Sequence, residues 1–371
     1  MSVLAADEAT ALIESIRNGS ALPTRWFSDP AIFTAELEKI HRKAWHYVGH
    51  VGELADDGDV MVRDVARVPV VLTRAADGVI RGHVNICRHR GYPVVIEDGN
   101  QRVLSCHYHG WSYELDGSLK SAPRSAGSDN FEPSDYGLVP VQVETWGPMI
   151  WVNIDRNGPS LHEWIPGMHD LLLERRCDVT QYTFGVRSSW DIDANWKVFQ
   201  DNTIECYHCP TTHPEFARGV RMNPKTQELA VGGDNWIHHR LQFRDGVEEG
   251  VTYKPPADPD APFYYHYNWI FPTTYLQHSG KGFDIGSVNV LAVDKIRFTH
   301  TWFMPRDTPS DQVARGQRIL DRDPTIHQDV DICNKVQAGH ATGIAPTGRS
   351  LAEPEFLLSH FHERIVELMR A

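Results

Sequence analysis

The chain has 371 residues, 41% hydrophobic and 23% charged, a composition ordinary for a globular enzyme with room for two domains. Its formal net charge of −13 argues against nucleic acid or an anionic membrane as the main partner. No apolar run is long enough to span a bilayer, residues 1–8 lack the basic-then-apolar pattern of a leader, and the expected location is the cytoplasm.

Taken in chain order, residues 5–16 have the spacing of an amphipathic helix, and residues 30–43 predict a second with Asp29 as its cap. From Trp45 to Asp155 the texture changes to short alternating runs, as at 60–65, 68–73, 79–84 and 149–154. Asp-Gly pairs at 77–78, 98–99 and 116–117 punctuate them, the pattern of a small antiparallel β domain. The stretch 155–160 is the candidate boundary. Beyond it the pattern predicts a helix over 161–176, a strand near 182–192 and a helix from Asn195 to about His208. Strands follow near 236–243 and 264–271, then a hairpin over 283–304 turning at Val293-Asp-Lys. Two helices close the chain, 310–339 (broken near Pro324) and 353–370. This second part is α+β, an antiparallel sheet covered by helices.

Two short segments concentrate the chemistry. The first reads Asn85-Ile-Cys87-Arg-His89-Arg-Gly, then Leu104-Ser-Cys106-His-Tyr-His109-Gly-Trp. Each half is a loop offering one thiolate and one imidazole. A Cys₂His₂ zinc site is one reading, but a zinc finger usually places two Cys first and two His second. The mixed order suits a two-iron cluster, with Cys87 and Cys106 on one iron and His89 and His109 on the other. Gly91, Pro93 and Gly110 allow tight loops, Trp111 and Tyr113 can shield the site, and His107 is read as a loop residue.

The second segment is Asn195-Trp-Lys-Val-Phe-Gln-Asp201-Asn202-Thr-Ile-Glu205-Cys-Tyr-His208-Cys-Pro-Thr-Thr-His213-Pro. His208 and His213 would point in different directions on one ideal helix. Pro210 is expected to end the helix just after His208, so that His213 folds back from the following turn. Two histidines and one carboxylate make a facial triad for non-haem Fe(II), with positions left open for O₂ and water. Glu205, one helical turn before His208, is one carboxylate able to join them. Asp201 and Asn202 are placed to orient the histidines or an iron-bound water, and Cys206 and Cys209 read as buried thiols beside the site.

Cys-Arg-His-Arg-Gly followed by Cys-x-Tyr-His-Gly-Trp resembles the Rieske signature of the bacterial ring-hydroxylating and related oxygenase α subunits, and the second segment resembles their mononuclear-iron motif. The resemblance covers the whole chain. It implies a Rieske [2Fe–2S] domain over 45–155 and a catalytic domain of the helix-grip kind built from 1–44 and 156–371. The implied cofactors are the cluster on Cys87, His89, Cys106 and His109, a mononuclear Fe(II) on His208 and His213, and O₂ as co-substrate. In this family the third iron ligand is an acid eight residues before the Gln of a Gln-x-Gly element. Gln337 therefore selects Asp329, with Asp331 as the fallback.

By the same resemblance Glu205 is the bridging acid between His208 and the cluster ligand His109 of a neighbouring subunit, which implies a homotrimer, here without a β subunit. The sequence has no GxGxxG dinucleotide fingerprint, so NAD(P)H is expected to act only through a separate reductase, with or without a ferredoxin. The run Asp-Asn-x-x-Glu-Cys-Tyr-His-Cys is most similar to a subgroup acting on carnitine, choline and betaines. The expected reaction is hydroxylation or C–N cleavage of a quaternary ammonium or alkyl compound. Tyr264, Tyr265, Tyr267, Trp269, Phe271 and Tyr275 are the candidates for an aromatic cage. The alternatives are arene dioxygenation and, from another class, a Rieske electron carrier with no oxygenase activity.

Overall fold

The computed structural model describes residues 4–127, 129–222, 227–246, 248, 261–351 and 355–370. The chain forms two units, one of Arg42–Leu161 and one that joins Met1–His41 to His162–Ala371.

The Arg42–Leu161 unit is an antiparallel seven-stranded sheet in the order Trp45–His50, Met149–Asn153, Pro140–Trp146, Ile80–Val84, Val68–Arg74, Asp59–Val65, Gly99–Asn100. A three-stranded sheet of Leu104–Ser105, Ser112–Tyr113 and Leu119–Ser121 accompanies it. Strands Asp59–Val65 and Val68–Arg74 carry apolar residues on both faces. Met61, Val70 and Leu72 pack with Leu54, Ile150 and Val152 on one side. Val60 and Val71 pack on the other with Val94, Leu104 and Tyr113, around Cys87 and Cys106. Two-sided burial explains why these runs read as nearly continuous Val and Leu.

The other unit is built on an eight-stranded antiparallel sheet. Its order is Tyr182–Ile192, Lys295–Pro305, Phe283–Ala292, Thr274–His278, Tyr264–Ile270, Trp236–Phe243, Val220–Arg221, with Glu228–Gly233 also paired to Trp236–Phe243. The expected hairpin is present as Phe283–Ala292 and Lys295–Pro305, paired from Phe283↔Phe303 to Val290↔Ile296, with a register shift before Ala292↔Lys295. Helix Phe356–Met369 buries Phe361, Ile365, Val366 and Met369 completely. The N-terminal segment belongs to this unit. Lys39 Nζ donates to the carbonyl of Met369 at 3.0 Å, and Arg17 pairs with Glu363 at 2.8 Å.

Several helix boundaries differ from those the sequence suggests. Asp29 does cap its helix, accepting from the Ala31 amide at 2.8 Å, but the helix ends at Lys39 and a 3₁₀ turn, His41–Lys43, follows. The expected helix over 161–176 is two short ones, Leu161–Trp164 and Met168–Glu174. They are separated at Pro166 and Gly167, whose φ of 74° is left-handed. The break near Pro324 splits Ser310–Asp321 from Pro324–Ala341, because Asp323 caps the second helix and Pro324 occupies its first position. The final helix starts at Phe356; the expected start at Glu353 lies outside the described residues.

The core beneath helix Trp196–Ile204 holds an ion pair with no solvent exposure on either partner. Lys197 Nζ lies 2.7 and 2.9 Å from the two Glu36 oxygens, and Trp196 Nε1 donates to Glu36 at 2.8 Å. It ties Pro30–Lys39, more than 150 residues earlier in sequence, to the helix that leads into the histidine segment. Among the described residues no helix is long and apolar enough to cross a membrane.

Candidate metal centres

In the Arg42–Leu161 unit, two loops present Cys87, His89, Cys106 and His109 with the same backbone design. The carbonyl of each cysteine accepts from the glycine four residues on (Gly91 and Gly110, both at 3.0 Å). Each cysteine amide donates to the carbonyl five residues on (Tyr92 and Trp111, both at 2.8 Å). Both glycines have positive φ, 75° and 74°, so the turn requires them. The cysteines lie at 3% exposure inside the unit, while His89 and His109 are exposed, their rings 4.5 Å apart and edge to face.

Sulfur is thus segregated inward and nitrogen outward. That is the donor order of a cluster with thiolates on the inner iron and imidazoles on the outer. Among the described residues these four do not gather three ligand atoms within 4.8 Å of one another, as a single zinc ion would ask of them. The Tyr113 hydroxyl lies 3.3 Å from Cys87 Sγ and accepts from the Arg88 amide at 3.0 Å. Its phenol is pushed well above the usual range by burial and stays a hydrogen-bond donor to the sulfur. The residues fit a [2Fe–2S] group.

In the other unit, Asn195 caps helix Trp196–Ile204 by accepting from the Lys197 amide at 3.0 Å. The Asn195 amide itself donates to Gln337 Oε1 at 2.9 Å, and Gln337 Nε2 donates to the Phe27 carbonyl at 3.1 Å. Gln337 therefore locks together the start of one helix, the middle of another and the N-terminal segment.

The helix ends earlier than expected. Glu205 is extended (φ −113°, ψ 170°), and His208 is the N-cap of a new helical turn, Cys209–Thr212, that has Pro210 in its first turn. Pro210 starts this turn instead of ending the longer helix. His213 is its C-cap, so the two histidines flank one turn and face each other, ring centroids 5.2 Å apart.

Helix Pro324–Ala341 brings Asp329 to them. Its Oδ1 lies 2.9 Å from His213 Nε2 and 3.6 Å from His208 Nε2. Among the described residues, His208, His213 and Asp329 are the group whose ligand atoms all fall within 4.8 Å. Asp331 instead pairs with Lys335 at 2.6 Å, its side chain 63% exposed. The second ring nitrogens are also engaged. Glu205 Oε1 lies 2.5 Å from His208 Nδ1, and the Gln328 amide lies 2.7 Å from His213 Nδ1. Glu205 also accepts from the Tyr207 and His208 amides, which fixes the loop.

Burial opposes protonation of His208, but Asp329 and Glu205 outweigh it and lift the imidazole to about 9. The arrangement attracts a cation. Asn202 Nδ2 lies 3.4 Å from His208 Nε2, and its buried Oδ1 has no hydrogen-bond partner. An acceptor held unpaired beside two imidazoles and a carboxylate fits an iron site with bound water.

Asp201, Cys206 and Cys209 also depart from expectation. Asp201 does not reach the histidines; its Oδ1 lies 2.8 Å from His362 Nε2, on the last helix. Cys206 and Cys209 are joined as a disulfide, not held as two thiols.

A cavity of about 340 Å³ adjoins His208, His213 and Asp329. Strand alternation sends Tyr265 and Tyr267 into it, with Tyr275 and Gln277 from the next strand. Tyr264 faces the opposite side of the sheet. Trp269 and Phe271 pack on Phe361, and Trp269 donates to Gln200 at 2.5 Å. The Tyr275 ring lies over Gly286, where a Cβ would sit 2.0 Å from it. The lining also holds Asp284 and His300, both buried and 2.7 Å apart. Asp284, His300, Gln328 and His362 carry no motif. Only Gln328 had a signal, its place beside Asp329.

Residues 179–371 match the catalytic domain of ring-hydroxylating α subunits, and residues 44–138 match the Rieske [2Fe–2S] domain. The chain belongs to the ring-hydroxylating oxygenase α-subunit family. It is the oxygenase component of a Rieske non-haem iron enzyme, with a [2Fe–2S] cluster, a mononuclear iron and O₂ as co-substrate. The carnitine monooxygenase oxygenase subunit of Escherichia coli K12 is 29% identical over 94% of both chains. That of Acinetobacter baumannii is 33% identical over 68% of this chain and 66% of its own. The chloroplastic choline monooxygenase of Spinacia oleracea is 25% identical over 92% of this chain and 76% of its own. Among solved structures, a quaternary ammonium Rieske monooxygenase superposes with a TM-score of 0.82 at 24% identity, covering 94% of this chain and 95% of that one. Naphthalene 1,2-dioxygenase from Rhodococcus does so at 0.79 and 21%, covering 97% and 98%. These likenesses place the α+β fold, with its antiparallel catalytic sheet, in the same class.

Proposed function

We propose that this family member oxygenates a small quaternary ammonium cation, with His208, His213 and Asp329 as the iron ligands. The observation that carries the reading is the wall of the cavity beside them. It presents Tyr265, Tyr267, Tyr275 and the carboxylate of Asp284, and among the described residues that line it there is no lysine or arginine. Burial raises all three phenols well above their ordinary range, so they stay neutral and line the cavity with aromatic surface suited to a cation. Burial also pushes Asp284 up, and His300 pulls it back; a cation in the cavity would add to that pull.

The iron, when bound, supplies O₂ activation, with electrons delivered from the Rieske cluster. The protein's own work is positioning. Glu205 and the Gln328 amide hold the outer nitrogens of the two histidines and set the ring orientations. In a homotrimer Glu205 also serves as the acceptor facing His109 of a neighbouring subunit, and the cluster exposes that imidazole for the purpose. A separate NAD(P)H-dependent reductase supplies the electrons. A Glu205→Gln variant is expected to keep its iron and lose roughly ten- to a hundredfold in turnover. Single-turnover reaction of the pre-reduced enzyme, compared with steady state, locates the loss in electron delivery.

The substrate reading is tested with choline, betaines, carnitine and a set of arenes, with reductase supplied, scored by product and coupled O₂ uptake. Product from arenes and none from the ammonium compounds overturns it. For an accepted cation, Asp284→Asn is expected to raise KM roughly ten- to a hundredfold with little change in kcat. A neutral isostere carrying a tert-butyl group in place of trimethylammonium should show no such dependence.

A further inference from the structure

The back of the same sheet carries a second cavity, of about 470 Å³. The alternation that sends Tyr265, Tyr267 and Gln277 to the front sends Tyr264, His266 and His278 to the back. His266 and His278 are directly opposite one another on adjacent strands, rings stacked at 4.5 Å and 8°. They are 7% and 3% exposed, and His266 Nδ1 and His278 Nε2 have no hydrogen-bond partner. Arg175 and Arg176, at the end of helix Met168–Glu174, and Arg240 complete the lining.

The charges do not cancel. Glu228 is shared, 2.9 Å from Arg240 and 3.7 Å from Arg175, and Glu174, the one acid among the described residues of the lining, lies 3.8 Å from Arg175 with its side chain 67% exposed. Arg240 is held over the Tyr264 ring at 4.1 Å, and the Nε atoms of Arg175 and Arg240 are buried without partners.

We propose that this cavity binds a compact oxyanion, a carboxylate or a phosphate. Guanidinium groups match the paired oxygens of such anions in a fixed fork geometry. Burial and the neighbouring positive charges hold both histidines uncharged, His266 near 2 and His278 near 3. They can therefore donate an N–H without adding to the repulsion among the arginines. The buried, unpartnered ring and guanidinium nitrogens along this cavity call for acceptors, and an oxyanion provides several at once. A metal cation is disfavoured there by the three arginines. Because Ser279 lines both cavities and strand Tyr264–Ile270 contributes to both, an occupant at the back abuts the strand that forms the substrate wall.

The test is calorimetric titration of the holoenzyme with inorganic phosphate and, separately, acetate, each at ionic strength matched with chloride. One saturable site per chain is expected, and the tighter of the two probes identifies the anion class. Arg240→Gln should weaken it about tenfold or more, while a His213→Ala protein retains it. The ligand-free melting temperature of Arg240→Gln checks that the fold stands; if it falls sharply, Arg176→Gln takes its place. Absence of saturable binding for both probes, or binding unchanged by the arginine substitution, overturns the proposal.

Discussion

A His213→Ala variant is expected to retain the Rieske spectrum and lose all but about a thousandth of the turnover, because the several kcal/mol supplied by the iron are lost with it. His213 is 3% exposed, with one ring nitrogen 2.9 Å from Asp329 and the other 2.7 Å from Gln328. It has no freedom to be replaced by a neighbour, and alanine leaves two ligands where a facial site needs three. Iron per chain should drop from about three to about two, the cluster keeping its pair. Asp329→Ala should behave alike. Asp331→Ala should be close to the parent, since it removes only an exposed pair with Lys335. Full iron and full activity in the His213 variant would refute the ligand assignment and return the electron-carrier reading to consideration.

Glu36→Ala is expected to destabilise the catalytic unit by about 3–5 kcal/mol, read as a shift in the denaturant midpoint at constant slope. The cost comes from Lys197, left in a fully buried site with neither carboxylate oxygen to meet it, where its amine must either stand as an unpaired charge or give up its proton. Burial pushes Glu36 up and Lys197 down, and their mutual attraction is what keeps the pair ionised. The double substitution Glu36→Leu with Lys197→Met should recover part of the loss, because two apolar groups of similar volume leave no buried charge, although Trp196 Nε1 loses its acceptor. If the single variant is as stable as the parent, the pair is not formed in solution. The pair sits at the start of the helix carrying Asp201 and Asn202, so the single variant should also bind the mononuclear iron less well.

Much of the two sheets and the pairing of candidate donors were legible because each had a local signature; strands Glu228–Gly233 and Thr274–His278 were not foreseen. Tyr182–Ile192 follows from alternation, and the hairpin over 283–304 from alternation and the turn at Val293-Asp-Lys. Cys87, His89, Cys106 and His109 follow from two loops with fixed glycines. Partnerships across the chain were not legible. Asp201 looks like a residue that orients the histidines, yet it meets His362, 161 positions later. The end of helix Trp196–Ile204 was missed because Thr-Ile-Glu-Cys contains no breaker. What stops the helix is Glu205 turning its carboxylate onto the Tyr207 and His208 amides and the His208 ring. Alternation shows that Asp284 and His300 lie on sheet strands; it does not show that they stand together at one cavity wall.

The division of the chain has a consequence for its biogenesis. The ends of the inserted unit are fastened to each other: Trp45 pairs with Asn153 across two strands, and its indole donates to the Pro159 carbonyl at 3.0 Å. Once Leu161 has left the ribosome, that unit has every residue it needs to fold and accept its cluster. The N-terminal segment has to wait for the C-terminal helices: Phe27 stacks on His340 of helix Pro324–Ala341, and Pro30–Lys39, with Phe33 destined for burial, packs against Phe356–Met369. Lys39 and its acceptor on Met369 are 330 residues apart, which at ordinary elongation rates is a delay of roughly tens of seconds. During that interval a finished electron-transfer module is tethered between two halves of an unfinished enzyme. The aromatic N-terminus is then the part of the nascent chain most in need of a chaperone.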